Sequence, residues 1–232
     1  AIKGSAAVAA RSNPIRKHIV TSCVEHVAVL ETCRYLEKQG AAQVTYLPVD
    51  AHGRVSVQDV LDAITPATFF ISIMHANNEV GTLQPIAEIS YAVKQHVQQH
   101  NLSRILLHTD ASQSIGKVRV NVDELGVDFL TIAGHKLYAP KGIGALYIRT
   151  GTPLPEVLIH GASHERGRRA GTENVAFDVA LGKACELIHD HQKQYEEHLR
   201  SNKQFLLELL QTRCQQSGIS FQVNGHPKFV LP

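Results

Sequence analysis

Two charged residues of this sequence stand where strands are expected to end, and both need a partner. Asp110 lies just past the apolar run 105–107, and Lys136 follows a second apolar stretch and the flexible Gly134. A charge near buried surface requires an opposite charge or hydrogen-bond partners to offset its desolvation, which indicates a binding site for a polar ligand. Each residue also has an ordinary interpretation, because aspartate is favoured at helix N-caps and an isolated lysine is usually a surface residue.

Four polar clusters follow predicted strands. They are residues 22–26 (SCVEH), 75–79 (HANNE), 108–113 (HTDASQ) and 133–136 (AGHK). Ligands of doubly wound sheets collect beyond the carboxyl ends of the strands, because loops converge there without burying unpaired backbone groups. The sequence therefore predicts that the four clusters face one crevice.

Five strings in these regions are more specific than the clusters themselves. They are residues 24–30 (VEHVAVL), 75–81 (HANNEVG), 108–117 (HTDASQSIGK), 133–144 (AGHKLYAPKGIG) and 164–172 (HERGRRAGT). Together they resemble the signatures of class-V aminotransferase-fold enzymes, and within that class those of the cysteine desulfurases of the NifS and IscS type. A single short motif recurs by chance, whereas five in the family's order, over about residues 18–172, form a specific pattern.

This resemblance implies an enzyme that uses pyridoxal 5'-phosphate, with the type I fold of the PLP-dependent transferases. Lys136 is then the residue that forms the Schiff base to the cofactor and later moves the substrate proton. Asp110 pairs with the pyridine nitrogen and keeps it protonated, so that the ring can act as an electron sink. Both unpaired charges thereby gain a reason, and we expect Lys136 and His26 to be the catalytic residues.

The resemblance assigns cofactor contacts to five further positions. His26 stacks on the cofactor ring, Gln113 donates to its phenolic oxygen, and Asn78 lies beside that oxygen and the substrate. His135 contacts the phosphate, and Thr172 reaches the phosphate of a neighbouring subunit, which implies a homodimer with shared sites. For Gln113 and Asn78 the alternative is a polar group satisfied within a turn.

Four features of the family pattern are not found in this sequence. Ala133 stands where many desulfurases carry a phosphate-binding serine. The family's phosphate loop is expected before Ala1, and both the mobile cysteine loop and the arginine that holds the substrate carboxylate are expected beyond Pro232. We therefore interpret the chain as a central part of such an enzyme, and we assign the catalytic thiol to none of its four cysteines.

The predicted activity is removal of sulfur from L-cysteine to give L-alanine and an enzyme persulfide, for iron–sulfur cluster assembly or other sulfur transfer. The partners expected are L-cysteine, a second copy of the chain, and a sulfur-acceptor or scaffold protein. A selenocysteine lyase and a catalytically inactive scaffold with the same fold are the alternatives. A nicotinamide-dependent oxidoreductase is disfavoured, since residues 142–144 (GIG) lack the third glycine of the dinucleotide fingerprint and precede a strand.

The elements that must position these residues alternate between strand and helix, which predicts an α/β fold. The expected arrangement is a mixed, mostly parallel sheet with helices on both faces, in three layers. Strands are predicted at residues 18–21, 43–49, 68–74, 104–109, 128–132 and 144–149. Helices are predicted at residues 27–38, from 56 to before Pro66, 86–96 and 174–216, and residues 229–231 are interpreted as an interrupted strand. Residues 1–205 are predicted to form the PLP-binding large domain, and 206–232 the passage into a second, C-terminal domain.

Composition excludes several other classes. Hydrophobic residues make up 44% and charged residues 19% of the chain, which is typical of a globular protein. The formal net charge is +2, and the basic residues are scattered, so we expect no nucleic-acid partner. No apolar run is long enough to cross a bilayer, and the cysteines lack zinc-ligand spacing, so neither membrane insertion nor a metal site is expected. The predicted location is the cytoplasm or an organellar matrix.

Overall fold

Strands and helices alternate along the chain in the computed structural model, which describes residues 1–232. The strands are β1 (His18–Ser22), β2 (Gln43–Leu47), β3 (Thr68–Ser72), β4 (Leu106–Asp110), β5 (Phe129–Ala133) and β6 (Gly144–Ile148). The helices are α1 (Ile2–Ser12), α2 (Val27–Lys38), α3 (Val57–Asp62), α4 (Ile86–Gln99), α5 (Val122–Leu125), α6 (His164–Gly167) and α7 (Val175–Gln216). A 3-10 helix spans Gly134–Leu137, between β5 and β6.

All six strands form one sheet in the order β2-β1-β3-β4-β5-β6. The first five strands are parallel, and β6 runs antiparallel to β5. The predicted mixed, mostly parallel sheet is therefore confirmed. Strands β1, β3, β4 and β5 lie side by side, so their carboxyl ends meet at one edge.

Both faces of the sheet are covered by helices. Successive residues of a strand point to opposite faces, and Ile19 and Val20 of β1 accordingly enter two different apolar clusters. One cluster packs α1 and α2 against the sheet, and the other packs α3 and α4. Strands β1 and β3 are buried along their whole length, as expected for central strands of a sheet covered on both sides. These are the three layers that the alternating pattern predicts.

Two helices begin at the residues that their sequences indicate. The Ser56 hydroxyl accepts hydrogen bonds from the backbone N–H groups of Gln58 and Asp59 and caps α3. The side chain of His26 accepts from the backbone N–H of Ala28 at the start of α2. This second cap matters for the site, since it fixes the ring of a predicted cofactor contact.

The structure departs from the predicted elements mainly at their ends. Strand β3 stops at Ser72 instead of residue 74. The N–H of Met74 donates to the side chain of Glu25, while the N–H groups of Ile73 and His75 still donate to carbonyls of β4. Helix α3 ends at Asp62, well before Pro66, with Ala63 as its C-cap. Residues 229–231 do pair, with Val230 forming an antiparallel bridge to Thr82.

Helix α1 was not predicted, and its glycine explains why. Glycine weakens a helix by about 1 kcal/mol relative to alanine, and Gly4 counts against a helix here although four of residues 2–12 are alanine. In the fold, a Cβ on Gly4 would lie 2.4 Å from the carbonyl oxygen of Glu156. The N–H of Glu156 donates to the Gly4 carbonyl at 3.1 Å. A tertiary contact that only glycine permits thus holds the helix in place.

Helix α7 is 42 residues long and has no buried residue. It passes residue 205 without a break, so the predicted division at 205 and 206 stays a prediction. It packs on the 3-10 helix between β5 and β6. It also approaches the loop after β4, where a Cβ on Gly116 would lie 2.9 Å from the side chain of Ile188 of α7. None of the helices combines the length and apolar character needed to cross a membrane.

Candidate functional site

The predicted polar residues lie at one edge of the sheet. His26 follows β1, Asn78 follows β3, Asp110 is the last residue of β4, and Lys136 lies in the 3-10 helix that follows β5. These four strands are adjacent and parallel, so the residues lie at the carboxyl ends of the strands, as predicted.

His26 and Asn78 line the same cavity, which has a volume of about 630 Å³. Pockets of 300 to 1,000 Å³, on the order of this one, bind small molecules and cofactors. Both residues are exposed. The ring of His26 accepts from Ala28 N–H through Nδ1 at 3.2 Å, so this arrangement leaves Nε2 to carry the ring proton.

Glu25 and Asn77 form the base of this cavity, and neither was assigned a role from the sequence. Both are buried and line the same cavity as His26. Asn77 donates from Nδ2 to the carbonyl of Val24 at 3.0 Å, and its Oδ1 accepts from the N–H groups of Glu79 and Val80 at 2.9 Å. The sequence did offer a signal for them, because Glu25 directly precedes His26 and Asn77 directly precedes Asn78.

Asp110 carries a partly buried carboxylate without a cationic partner in the chain. Its Oδ1 accepts from the backbone N–H of Ser112 at 2.9 Å, and its other oxygen makes no hydrogen bond to protein. Residues 112–117 form turns instead of a helix, so the N-cap interpretation does not hold. Asp110 belongs to none of the ion pairs in the structure. The carboxylate is available to a cationic or donor group of a ligand.

Gln113 follows Asp110 by one turn and keeps its amide unused. Its side chain is partly buried and makes no hydrogen bond to protein, while its backbone carbonyl accepts from Lys117 Nζ at 3.0 Å. A turn-forming role would require the amide to bond within the loop, which is not observed. The Gln113 side chain is therefore also available to a ligand.

Two buried histidines hold the strands that carry these residues. His108 bonds to Ser72 through Nδ1 and to Thr131 through Nε2, which links β4 to both neighbours. His75 bonds through Nδ1 to Ser114 at 2.8 Å. Burial lowers the pKa of His108 to about 3 and that of His75 to about 4. Both rings are neutral at physiological pH, so neither supplies the cation that Asp110 lacks.

Lys136 is held by the tight turn that follows β5. The N–H of Gly134 donates to the carbonyl of Ile143 at 2.9 Å, and a Cβ on Gly134 would lie 2.7 Å from that oxygen. Tyr138 closes the 3-10 helix in the left-handed conformation, with φ of 63°. This turn fixes the backbone of Lys136 and of His135, and both side chains are exposed.

The Lys136 side chain lines a second cavity, of about 590 Å³, between the turn and α7. Lys117 lines the same cavity, and its pKa is lowered, first by burial and then by the positive charge of Lys136. The structure thus brings His26 and Asn78 together in one cavity, and it places Lys136 in another. Asp110 and Gln113 line neither of these cavities, so a single crevice shared by all four polar clusters stays a prediction.

Thr172 and the neighbouring arginines lie elsewhere in the chain. Thr172, Arg166, Arg168 and Arg169 are exposed on the segment that precedes α7. None of them lines either of the two cavities. Within one chain, these residues therefore share neither the cavity of His26 nor that of Lys136.

The cysteines differ in their surroundings. Cys33 is buried in the core, and burial, with smaller contributions from the charges of Glu25 and Glu37, raises the pKa of its thiol to about 12. It therefore stays protonated and is not a nucleophile. Cys23 is exposed and lines the cavity of His26.

The sequence of this chain matches a known protein family. The sequence profile of the class-V aminotransferases matches residues 4–225. The chain belongs to the class-V aminotransferase family. The resemblance inferred from the five strings is thereby confirmed, as is the fold that it implied.

Similar proteins come from bacteria and mammals. The chain is 52% identical to the cysteine desulfurase IscS of Dictyoglomus turgidum over 194 residues, which cover 83% of this chain and 47% of that protein. It is 45% identical to the selenocysteine lyase of Rattus norvegicus over 203 residues, 84% of this chain and 46% of that protein. The class-V chain thus spans about half the length of these curated relatives.

A solved structure agrees with the sequence comparison. A NifS-like protein superposes with a TM-score of 0.82 and 36% identity, covering 90% of this chain and 55% of that one. At this identity and TM-score the two proteins share the fold.

Proposed function

We propose that the full-length protein is a pyridoxal-phosphate-dependent cysteine desulfurase. The observation that carries this proposal is the 52% identity to an IscS over 83% of the chain. It is supported by polar side chains at the ends of the strands, such as Asp110, that have no charged partner in the chain. In this proposal, residues 1–205 form the cofactor-binding large domain and 206–232 lead into a second domain.

The residues present fit pyridoxal phosphate in their chemistry. The cofactor needs a carboxylate for its ring nitrogen, and Asp110 has a free oxygen and no cationic partner in the chain. It needs a donor for its phenolic oxygen, and the Gln113 amide is unused. It needs a flat partner and space, which the exposed His26 ring and the 630 Å³ cavity supply. Lys136 follows β5, which is the neighbour of the strand that ends at Asp110.

Each residue then has a separate task. Lys136 holds the cofactor and moves the proton of the substrate's alpha carbon. Asp110 would hold the ring nitrogen protonated, His26 would contact the ring, and Gln113 and Asn78 would contact the phenolic oxygen. His135 and the partner's copy of the Thr172 position hold the phosphate. When bound, the cofactor supplies the electron sink that makes the alpha proton removable.

The net reaction transfers sulfur from L-cysteine to an enzyme thiol. The carbon–sulfur bond of the substrate breaks, a sulfur–sulfur bond forms on the enzyme, and L-alanine leaves with the proton that the thiol loses. An acceptor or scaffold protein then takes the persulfide sulfur. We assign the accepting thiol to none of the four cysteines.

A direct assay of the full-length protein tests the proposal. With L-cysteine and a thiol reductant we expect one L-alanine per sulfide released, and without reductant a single persulfide on each active chain, detected by mass spectrometry. Turnover of L-selenocysteine but not of L-cysteine would favour a selenocysteine lyase instead. No product from either amino acid would overturn the proposal in favour of an inactive scaffold.

A shared dimeric site is the second expectation. Thr172 and its arginines are exposed and line neither cavity of their own chain, which supports a role in the site of a second copy. We expect Thr172→Ala to weaken cofactor affinity about 10- to 100-fold, the effect of one charge-assisted hydrogen bond.

Mixed dimers distinguish this role from one within the same chain. A dimer of one Lys136→Ala chain and one Thr172→Ala chain contains one intact site if Thr172 serves its neighbour. At a cofactor concentration that saturates the unmodified site but not the Thr172→Ala site, we therefore expect it to regain about half the specific activity of the unmodified dimer. If the mixed dimer is as weak as the average of the two single variants, or if the protein is an active monomer, the shared site is wrong.

A further inference from the structure

Glu25 is a buried carboxyl group in the turn between β1 and α2. It is only 5% exposed and directly precedes His26. Its Oε1 accepts hydrogen bonds from the Ser22 hydroxyl at 2.7 Å and from the backbone N–H of Met74 at 2.8 Å. Its Oε2 is fully buried and has no partner among the protein atoms. Nothing in the proposed chemistry so far uses this residue.

The two hydrogen bonds of Glu25 join two of the site-bearing segments. Ser22 ends β1, and Met74 lies just past β3, four residues before Asn78. Asn77 closes the same junction from the other side by donating to the Val24 carbonyl at 3.0 Å. The segment that carries His26 and the segment that carries Asn78 are therefore locked to each other at two points, with Glu25 as one of them.

The surroundings of Glu25 offer no cation. Glu25 belongs to none of the ion pairs in the structure. The titratable groups that face it are Asp110 from β4 and the Cys33 thiol from α2. An ionised Glu25 would be buried with an unpaired oxygen and would add a second negative charge near Asp110. Both effects disfavour the charged form.

Burial, with a smaller contribution from the charge of Asp110, raises the pKa of Glu25 to about 8, against the opposing effect of the hydrogen bonds from Met74 and Ser22. Glu25 is accordingly protonated at neutral pH. Its folded-state pKa lies above the unfolded value, so the stability that it contributes is present below about pH 4.5 and is lost as the pH rises through about 8.

We propose that Glu25 is a positioning residue, which in its neutral form locks the His26 segment to the Asn78 segment without adding a charge that competes with Asp110. This inference rests on the proposed cofactor site and adds to it a residue that touches neither cofactor nor substrate. Glutamine is isosteric, keeps the Oε1 acceptor and cannot ionise, so it reproduces the neutral acid. Alanine removes both hydrogen bonds and leaves the N–H of Met74 buried and unpaired.

Cofactor affinity of the full-length protein tests this inference without reference to turnover. The apo protein is titrated with pyridoxal phosphate between pH 6.5 and 9.5, and binding is followed by the visible absorption band. At pH 7 we expect Glu25→Gln to bind within about twofold of the unmodified protein, and Glu25→Ala to bind at least about tenfold more weakly, a change equivalent to roughly 1.4 kcal/mol.

The pH profile separates positioning from general stabilisation. The unmodified protein should lose affinity as the pH rises through about 8, where Glu25 ionises, whereas Glu25→Gln should lack that component. Glu31→Gln, an exposed carboxyl on α2, is the matched control and should leave the profile unchanged. Ser22→Ala, which removes one of the two bonds to Oε1, should have an intermediate effect and serves if Glu25→Ala fails to fold.

Two results would overturn the inference. If Glu25→Gln binds as poorly as Glu25→Ala or Ser22→Ala, the site needs the charge of Glu25 rather than its neutral form. If all three variants bind like the unmodified protein with the same pH profile, Glu25 positions nothing. A failure of the proposed function differs from both, since the unmodified protein would then show no visible band.

Discussion

Replacing Lys136 by alanine in the full-length protein is expected to abolish covalent attachment of pyridoxal phosphate and to stop the release of alanine from L-cysteine. The amine is both the anchor and the base in the proposed mechanism. Loss of a general base alone reduces rates by about 10² to 10⁴, so turnover should fall at least 100-fold. The visible absorption band and the adduct trapped by borohydride reduction, located by peptide mass spectrometry, measure attachment separately from turnover.

Lys183→Ala is the matched control for this variant. Lys183 lies on α7, lines the same cavity as Lys136 and pairs with Glu186 at 3.0 Å. It does not follow a strand of the sheet, and we expect its replacement to leave attachment and turnover unchanged. If the Lys136→Ala protein kept both the trapped adduct and alanine release, the central assignment of the site would be wrong.

The second large effect concerns Asp110. Asp110→Asn keeps an oxygen that can accept from Ser112 N–H and removes the negative charge. An opposite charge nearby shifts a pKa by about one to three units, so the pyridine nitrogen should hold its proton about 10- to 1,000-fold less well, and turnover should fall by a similar factor. Attachment to Lys136 should persist, with the visible band retained at saturating cofactor.

A comparison of two further variants isolates the charge. Asp110→Ala removes the charge and the bond to Ser112 together, so any loss beyond that of Asp110→Asn reports the turn. Asp123→Asn removes a carboxylate that is 80% exposed and paired with Arg149, and it should leave turnover within about twofold, since exposed pairs contribute little. Turnover by Asp110→Asn equal to that of the unmodified protein would show that the ring nitrogen does not depend on this residue.

The fold could be predicted from local patterns because they repeat. Alternating apolar runs and amphipathic helices identified each strand of the sheet to within a few residues, and α2 was predicted at its observed ends. What failed has a common cause. Gly4 of helix α1 packs against Glu156, and the N–H of Met74 beyond β3 bonds to Glu25, and both partners lie far away in sequence.

The sequence by itself determined the family, the alternation of strands and helices, and the placement of four polar clusters directly after strands. This was possible because five strings in a fixed order are specific, and because parallel strands present their carboxyl ends at one edge.

Only the tertiary structure decided how the side chains at that edge are distributed and which of them are charged. It placed His26 with Asn78 in one cavity and Lys136 in another, and it left Asp110 without a cation. It also identified Glu25, whose burial raises its pKa to about 8. Burial, desolvation and contacts between segments that are far apart in sequence depend on how the layers pack. A local sequence pattern does not determine that packing.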